Sequence, residues 1–193
     1  MLEDAHQPGP AFLERLQAGD EPAFRELLAR WQRPVLSFVY RMTGDASTAD
    51  DIAQEVFVRV FRRVGDFRRR PGRASFSTWL FQIARNAALD HLRHRSRHPT
   101  ESLDALPGSG GTLASCGPSP AAATFSREVG AEIARAVAAL PEDQRTALVL
   151  AEYEDTPVAE IAAIMDCSEK SVESRLYRAR QTLRQKLAHL LER

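Results

Sequence analysis

The chain has 193 residues, with 26 Lys+Arg, 26 Asp+Glu, zero formal net charge and 44% apolar residues. That length allows one medium domain or two small ones, and the balance excludes a wholly disordered chain. No apolar run nears the ~18 residues of a membrane helix, the start Met1-Leu2-Glu3-Asp4-Ala5-His6 lacks the order of a signal peptide, and two cysteines, Cys116 and Cys167, make neither a disulfide framework nor a zinc cluster.

These features predict a cytoplasmic protein with no membrane insertion. The zero net charge hides a pattern. Residues 1–56 are net −5, while residues 57–98 carry 11 Arg against 2 Asp, net +9. Residues 99–125 contain no Lys or Arg, and residues 126–193 are net −2. A +9 block in a neutral chain attracts phosphate backbones, although a solvated basic helix face would look the same.

Helical periodicity dominates, and no segment shows a strand alternation. Over residues 11–30, Phe12, Leu13, Leu16, Phe24, Leu27 and Leu28 form apolar stripes, with a break near Gly19-Asp20. Trp31 to Met42 continues with Val35, Leu36, Val39 and Tyr40, and Gly44-Asp45 ends it. Ser47 is the expected N-cap of the next helix, with Asp50 and Asp51 where the helix dipole favours acids. Ile52, Val56, Phe57, Val60, Phe61 and Val64 share one side of it. Gly65 to Ser75 reads as a loop with Arg68-Arg69-Arg70-Pro71-Gly72-Arg73. A helix over 76–95 places Phe76, Leu80, Ile83 and Ala87 on one face.

Residues 96–125 have the Pro, Gly, Ser and Thr content of a linker. Helical pattern resumes near Ser126, with Val129, Ile133, Ala136, Val137 and Leu140 on one stripe. Pro141 suits the first position of the following helix, and Glu142 and Asp143 suit its first turn. The predicted fold is all-α: two small helical domains joined by a flexible linker. The expected divisions are 1–10 (tail), 11–96 (first domain), 97–125 (linker) and 126–193 (second domain).

The strongest local signal lies at 156–187. Thr156-Pro157 reads as a cap and first-turn proline. Ile161, Ala162, Ile164 and Met165 make a short helix, Asp166-Cys167 the turn, and Ser168 the cap of a helix carrying Val172, Leu176, Tyr177, Leu183 and Leu187. This is a helix-turn-helix, whose second helix enters the major groove with its leading residues at base edges. Those residues are Ser168, Glu169, Lys170, Ser171, Glu173 and Ser174. Arg175, Arg178 and Arg180 follow and suit phosphate or guanine contacts. Asp166 tolerates the left-handed conformation of the turn. A net charge of −2 is low for a domain that binds DNA alone, so a larger partner is expected to supplement its affinity.

Two stretches carry a resemblance. One is Asp50-Asp51-Ile52-Ala53-Gln54-Glu55-Val56-Phe57-Val58-Arg59-Val60-Phe61, followed by Phe76-Ser77-Thr78-Trp79-Leu80-Phe81-Gln82-Ile83-Ala84-Arg85-Asn86. The other runs from Leu140-Pro141-Glu142 to Tyr177-Arg178-Ala179-Arg180. In this order and spacing the chain resembles the group IV (extracytoplasmic function, ECF) sigma factors of bacterial RNA polymerase, over about residues 11–95 and 126–190.

The resemblance implies a promoter-specificity subunit with no catalysis, cofactor or metal of its own. Its implied partners are core RNA polymerase (the β′ clamp and β flap), promoter DNA and an anti-sigma factor. It implies that Asp51, Gln54, Glu55, Val58 and Arg59 bind the β′ clamp. It implies minus-10 contacts by Arg68, Arg69, Arg70, Arg73, Trp79, Arg85, Asn86, Asp90 and Arg93. It also makes the leading residues of the helix-turn-helix and its three arginines the minus-35 reader.

Blander readings stand beside these. Trp79 shares helical spacing with Phe76, Leu80 and Ile83, which is the pattern of a core aromatic more often than of a base-stacking one. His91, His94 and His98 share a helix face, but surrounding arginines disfavour a bound cation. Cys167 suits a small apolar filler. A stand-alone regulator would need the helix-turn-helix but not the 50–61 helix or the basic block. No Walker loop or nucleophile–base pair points to an enzyme.

Overall fold

The structure is a computed structural model that describes residues 8–68, 75–97 and 120–191, excluding the side chains of Asp66, Arg68 and 120–127. The loop arginines Arg69, Arg70 and Arg73, the Arg68 side chain, Cys116 and His98 lie outside the described residues.

Helix α1 (Pro10–Gln17) starts on a proline and buries Leu13 and Leu16. Its exit needs Gly19 at φ +79, a conformation glycine takes without strain. Arg15 Nε then donates to Asp20 Oδ2 at 2.6 Å, which fixes the corner. Helix α2 (Glu21–Thr43) runs unbroken through Pro34. A proline inside a helix costs about 3 kcal/mol. Burial of Trp31, Val35, Phe38, Val39 and Met42 around it offsets that cost. Gly44, at φ 77, closes α2 with its N–H on Tyr40 O.

Helix α3 (Ala46–Arg68) corrects two expectations. Its cap is Asp45, not Ser47: Asp45 Oδ2 accepts from the Thr48 amide at 2.7 Å. Hydrogen bonds from the Thr48 hydroxyl and amide hold the Asp45 carboxyl below the usual carboxylate range, with Arg95 and His91 adding to the effect. The helix also continues past Gly65 instead of ending there. Phe67, in the extra turn, packs edge-on against Phe76 at 5.6 Å and beside Trp79 at 5.3 Å. Helix α4 (Phe76–Arg97) buries Phe76, Leu80, Phe81, Ile83, Ala84, Ala87 and Ala88 against α2 and α3.

Helix α5 (Pro120–Ala138) begins at Pro120 rather than near Ser126. Pro120 followed by three alanines is a strong helix start without an apolar stripe, so periodicity alone misses it. Helix α6 (Glu142–Tyr153) has Pro141 as its N-cap, one position from the expected one. Helix α7 (Val158–Met165) is preceded by Pro157 with no side-chain cap, so Thr156 does not cap it. Asp166 takes the left-handed conformation at φ 52, ψ 53, as the turn requires. Helix α8 (Glu169–Lys186) is capped by Ser168, whose side chain accepts from the Ser171 amide. A short α9 (Ala188–Leu191) follows.

The two halves pack on each other rather than standing apart on a tether. Helix α7 lies on α4, and α6 and α5 meet α2. The buried apolar residues of both halves join in one cluster. Arg145 of α6 reaches across and donates to the carbonyl of Met42 as well as to those of Ala138 and Leu140. Burial lowers the pKa of its guanidinium, against the pull of Glu142. Beside it, the Arg41 guanidinium sits 3.9 Å from the centre of the Tyr153 ring.

Glu154 lies next to this contact. Burial pushes its carboxyl up to about 7, with Arg41 opposing and Asp155 reinforcing the rise. A carboxyl that holds its proton more tightly when folded makes the folded state bind more protons than the unfolded one. Its share of stability is therefore full below pH 4.5 and is lost as pH rises to about 7. Glu154→Gln is expected to be more stable than the parent at pH 8 and equal to it near pH 4.5. Paired denaturant titrations at the two pH values check this, and equal gains at both would refute the titration of Glu154.

Candidate nucleic-acid and partner interfaces

Helix α3 buries one stripe and presents another. Ile52, Ala53, Val56, Phe57, Val60 and Val64 are buried. Asp51, Gln54, Glu55 and Val58 are exposed on the opposite side, and Arg59 is half-buried. Glu55 and Arg59 pair at 2.7 Å, one turn apart. Two apolar side chains break the polar surface: Val58 is 47% exposed and Phe61 42%. Phe61 was expected in the buried stripe. It instead packs edge-on against Phe24 at 5.6 Å, on the outer side of α2.

A groove of about 330 Å³ opens between α2 and α3, walled by Phe24, Leu28 and Leu36 on one side and Ala53, Phe57 and Val58 on the other. Gln32, Asp50 and Gln54 add polar groups to its lining. Periodicity places Phe24, Leu28 and Leu36 of the α2 wall on apolar stripes without marking them as the lining of a groove. The wall's signal is that Phe24 and Leu28 stand one residue off the Ala23, Leu27, Trp31 stripe, which puts them at the edge of the core, partly buried against it.

The residues expected to meet minus-10 DNA separate into groups. Trp79 is half-buried in a ring cluster, between Phe67 at 5.3 Å and Phe76 at 5.7 Å. Arg85 is largely covered, its side chain 16% exposed. Asn86 and Asp90 are exposed, and Asp90 pairs with Arg93 at 3.7 Å. Arg85 Nη2 lies 3.4 Å from Asp143 Oδ1 of α6. Its Nε is buried with no partner among the described residues, a deficit that costs about 1–3 kcal/mol.

The second helix of the helix-turn-helix buries Val172, Leu176 and Ala179 on one face. Ser168, Glu169, Lys170 and Glu173 are exposed at its leading end, with Ser171 and Ser174 half-covered. Tyr177 does not join the apolar face; it is 67% exposed. Arg175 donates to Asp143 Oδ2 at 3.1 Å and to Cys167 Sγ at 2.8 Å. Cys167 is therefore a hydrogen-bond acceptor at the turn as well as a filler. Arg180 grips Glu152 with Nε at 3.0 Å and Nη2 at 2.6 Å. Arg178 is exposed and makes no ion pair among the described residues. In sequence, Asp143 answers only to a helix dipole and nothing marks Glu152. Their positions are a turn-register detail of α6 that only its packing on α8 reveals.

An all-helical chain with a basic helical half, an exposed partner face and a helix-turn-helix has the build of a two-part transcription factor of the sigma-70 type. The family model for Sigma-70 region 2 matches residues 27–98, and that for Sigma-70 region 4 matches residues 130–183. The RNA polymerase sigma-H factor of Pseudomonas aeruginosa is 38% identical over 93% of both chains. The ECF RNA polymerase sigma-E factor of Escherichia coli is 37% identical over 94% of this chain and 95% of its own. A structure of CnrH in complex with the cytosolic domain of CnrY is similar with a TM-score of 0.65 at 25% identity, covering 94% of this chain and 96% of that one. The sigma factor RpoE solved with the anti-sigma factor NepR from Bartonella quintana shares the fold, with a TM-score of 0.65 at 24% identity over 86% and 96% of the two chains.

The chain belongs to the ECF sigma factors of bacterial RNA polymerase. It is an alternative sigma factor that binds core polymerase and recognises promoter DNA for initiation. Sigma factors are initiation factors rather than catalysts. No described helix is long and apolar enough to cross a membrane.

Proposed function

We propose that the exposed face of α3, through Asp51, Gln54, Glu55, Val58 and Arg59, is the surface that docks on the β′ clamp. The observation that carries this is the pairing of solvent-facing Val58 and Phe61 with carboxylates beside an open apolar groove. Apolar side chains ringed by polar ones on a free helix face suit a protein partner. Arg85, Asn86, Asp90 and Arg93, together with Arg68, Arg69, Arg70, Arg73 and Trp79, form the minus-10 set. Ser168, Glu169, Lys170, Ser171, Glu173, Ser174, Arg175, Arg178 and Arg180 form the minus-35 set. The chain works in the cytoplasm, where polymerase and nucleoid are, and an anti-sigma factor holds it inactive across both domains. A sigma factor of the same fold, RpoE of Bartonella quintana, was solved with an anti-sigma factor, which is in keeping with that regulation.

The test is transcription in vitro from a genomic fragment library, with core polymerase from the source organism, with and without this protein. New transcripts sharing two upstream elements are expected. None, from folded protein, would overturn the reading in favour of a stand-alone regulator. Within the minus-35 set, Arg175→Ala is expected to lower minus-35-dependent initiation about tenfold, the size of one good base or phosphate contact. Full activity on every such promoter would remove Arg175 from the set.

A further inference from the structure

The face of α4 through which the two halves touch includes Arg85, one of the residues assigned to DNA above. Ser75, Thr78, Gln82 and Arg85 recur at three- and four-residue spacing along α4, so they share one face. Each is engaged by the C-terminal half. Glu160 Oε2, from α7, accepts from Thr78 Oγ1 at 3.0 Å and from Ser75 Oγ at 3.1 Å. Gln82 Nε2 donates to the Ala163 carbonyl at 2.7 Å. Arg85 reaches Asp143.

Asp143 is the centre of this arrangement. Its Oδ1 faces Arg85 of α4 and its Oδ2 faces Arg175 of α8. One carboxylate thus holds a guanidinium from each of the two DNA-reading helices. Two oxygens shared by two arginines is also how a backbone phosphate would be held. The fit is imperfect, because Arg85 Nε is left buried without a described partner. The carboxylate is half-exposed, so salt and competing phosphates can reach it. The α2–α3 groove and the exposed side of α3 lie away from these contacts and stay open.

We infer that the free chain holds a closed state in which Asp143 stands in for DNA phosphate, masking Arg85 and Arg175, while leaving the α3 face open for polymerase. Polymerase then docks on the closed chain, and promoter reading follows separation of the halves. The masking rests on the assignment of Arg85 and Arg175 to DNA proposed above; the closure does not.

The test uses the full chain without polymerase. Asp143→Asn with Glu160→Gln removes the two carboxylates isosterically. Glu26→Gln with Glu128→Gln removes the same charge at exposed positions outside the contact. Small-angle scattering reads size, and anisotropy reads binding of a fluorescent mixed-sequence duplex at low salt. The parent is expected to have a radius of gyration of about 16 Å, as a compact chain of this length does. The Asp143/Glu160 variant is expected to expand by about a quarter and to bind the duplex at least about fivefold tighter. The Glu26/Glu128 variant is expected to do neither.

A parent that is already extended overturns the closure. Tighter binding in both variants reduces the effect to net charge and overturns the masking. Expansion without tighter binding also overturns the masking, and it removes Arg85 and Arg175 from the DNA sets while leaving the closed state intact. If the double variant loses helicity, Gln82→Glu breaks the same contact from α4 by setting a carboxylate against the Ala163 carbonyl. A folded Gln82→Glu chain with unchanged size overturns the closure.

Discussion

Phe76→Ala is expected to lower the unfolding free energy of the N-terminal half by about 3–5 kcal/mol, the range for deleting a buried phenyl ring. Phe76 has no exposed surface. It opens α4 and is the point where three other rings converge: Trp31 at 6.0 Å, Phe67 at 5.6 Å and Trp79 at 5.7 Å. These rings come from α2, the last turn of α3 and α4 itself. The neighbours are large and held by their own helices, so they cannot collapse into the space the ring leaves. The cost should therefore sit at the cavity end of the range. Against a total stability of about 5–15 kcal/mol, a loss of this size is about a fifth or more. A denaturant midpoint that falls with an unchanged slope would show it. A loss under about 1 kcal/mol would mean that the rings repack and that Phe76 is not the centre of the cluster. Phe76→Leu keeps most of the volume and is expected to lose about half as much.

Gln54→Ala combined with Glu55→Arg is expected to weaken binding to core polymerase by about 10- to 100-fold, or about 1.4–2.8 kcal/mol. Both side chains are exposed on α3, beside the groove and beside Val58. Charge reversal at position 55 places like charge where a complementary partner surface expects a carboxylate, and rejection by like charge costs more than loss of one contact. The fold should barely register the change. The reversal breaks the Glu55–Arg59 pair and sets two cations one turn apart, worth a few tenths of a kcal/mol on a helix surface. A fluorescence titration against core enzyme measures the first effect and thermal unfolding the second. Unchanged affinity would detach the α3 face from polymerase. Lost affinity together with lost stability would mean that the substitutions act on the fold instead.

The helices were legible where burial on one side is the only demand a segment must meet. In α8, Val172, Leu176 and Ala179 recur at helical spacing and all are buried. The turn before it was legible too, since Asp166 is one of the few residue types that enter the left-handed conformation readily. Caps were less legible. Asp45 and Ser47 can both cap α3, and the left-handed Gly44 decides between them by bringing the chain in at Asp45. Similarly, nothing local distinguishes Phe61 and Tyr177 from their buried neighbours. Both sit at the edge of an apolar stripe, and the distance to the next helix decides which side of the edge they fall on.

The sequence by itself determined the class of fold, the order of the helices, the exposed polar side of α3 and the helix-turn-helix. Each is a short-range or periodic property, set by spacing within about two turns and by the conformational preferences of single residues. The tertiary structure alone decided that the two halves close on each other. It also decided that Arg145 reaches the Met42 carbonyl and that Asp143 joins Arg85 to Arg175. These contacts link residues 103, 58 and 32 positions apart. A polar side chain on a helix surface leaves no periodic trace of its partner. Its partner is chosen only when apolar burial has brought the two helices together.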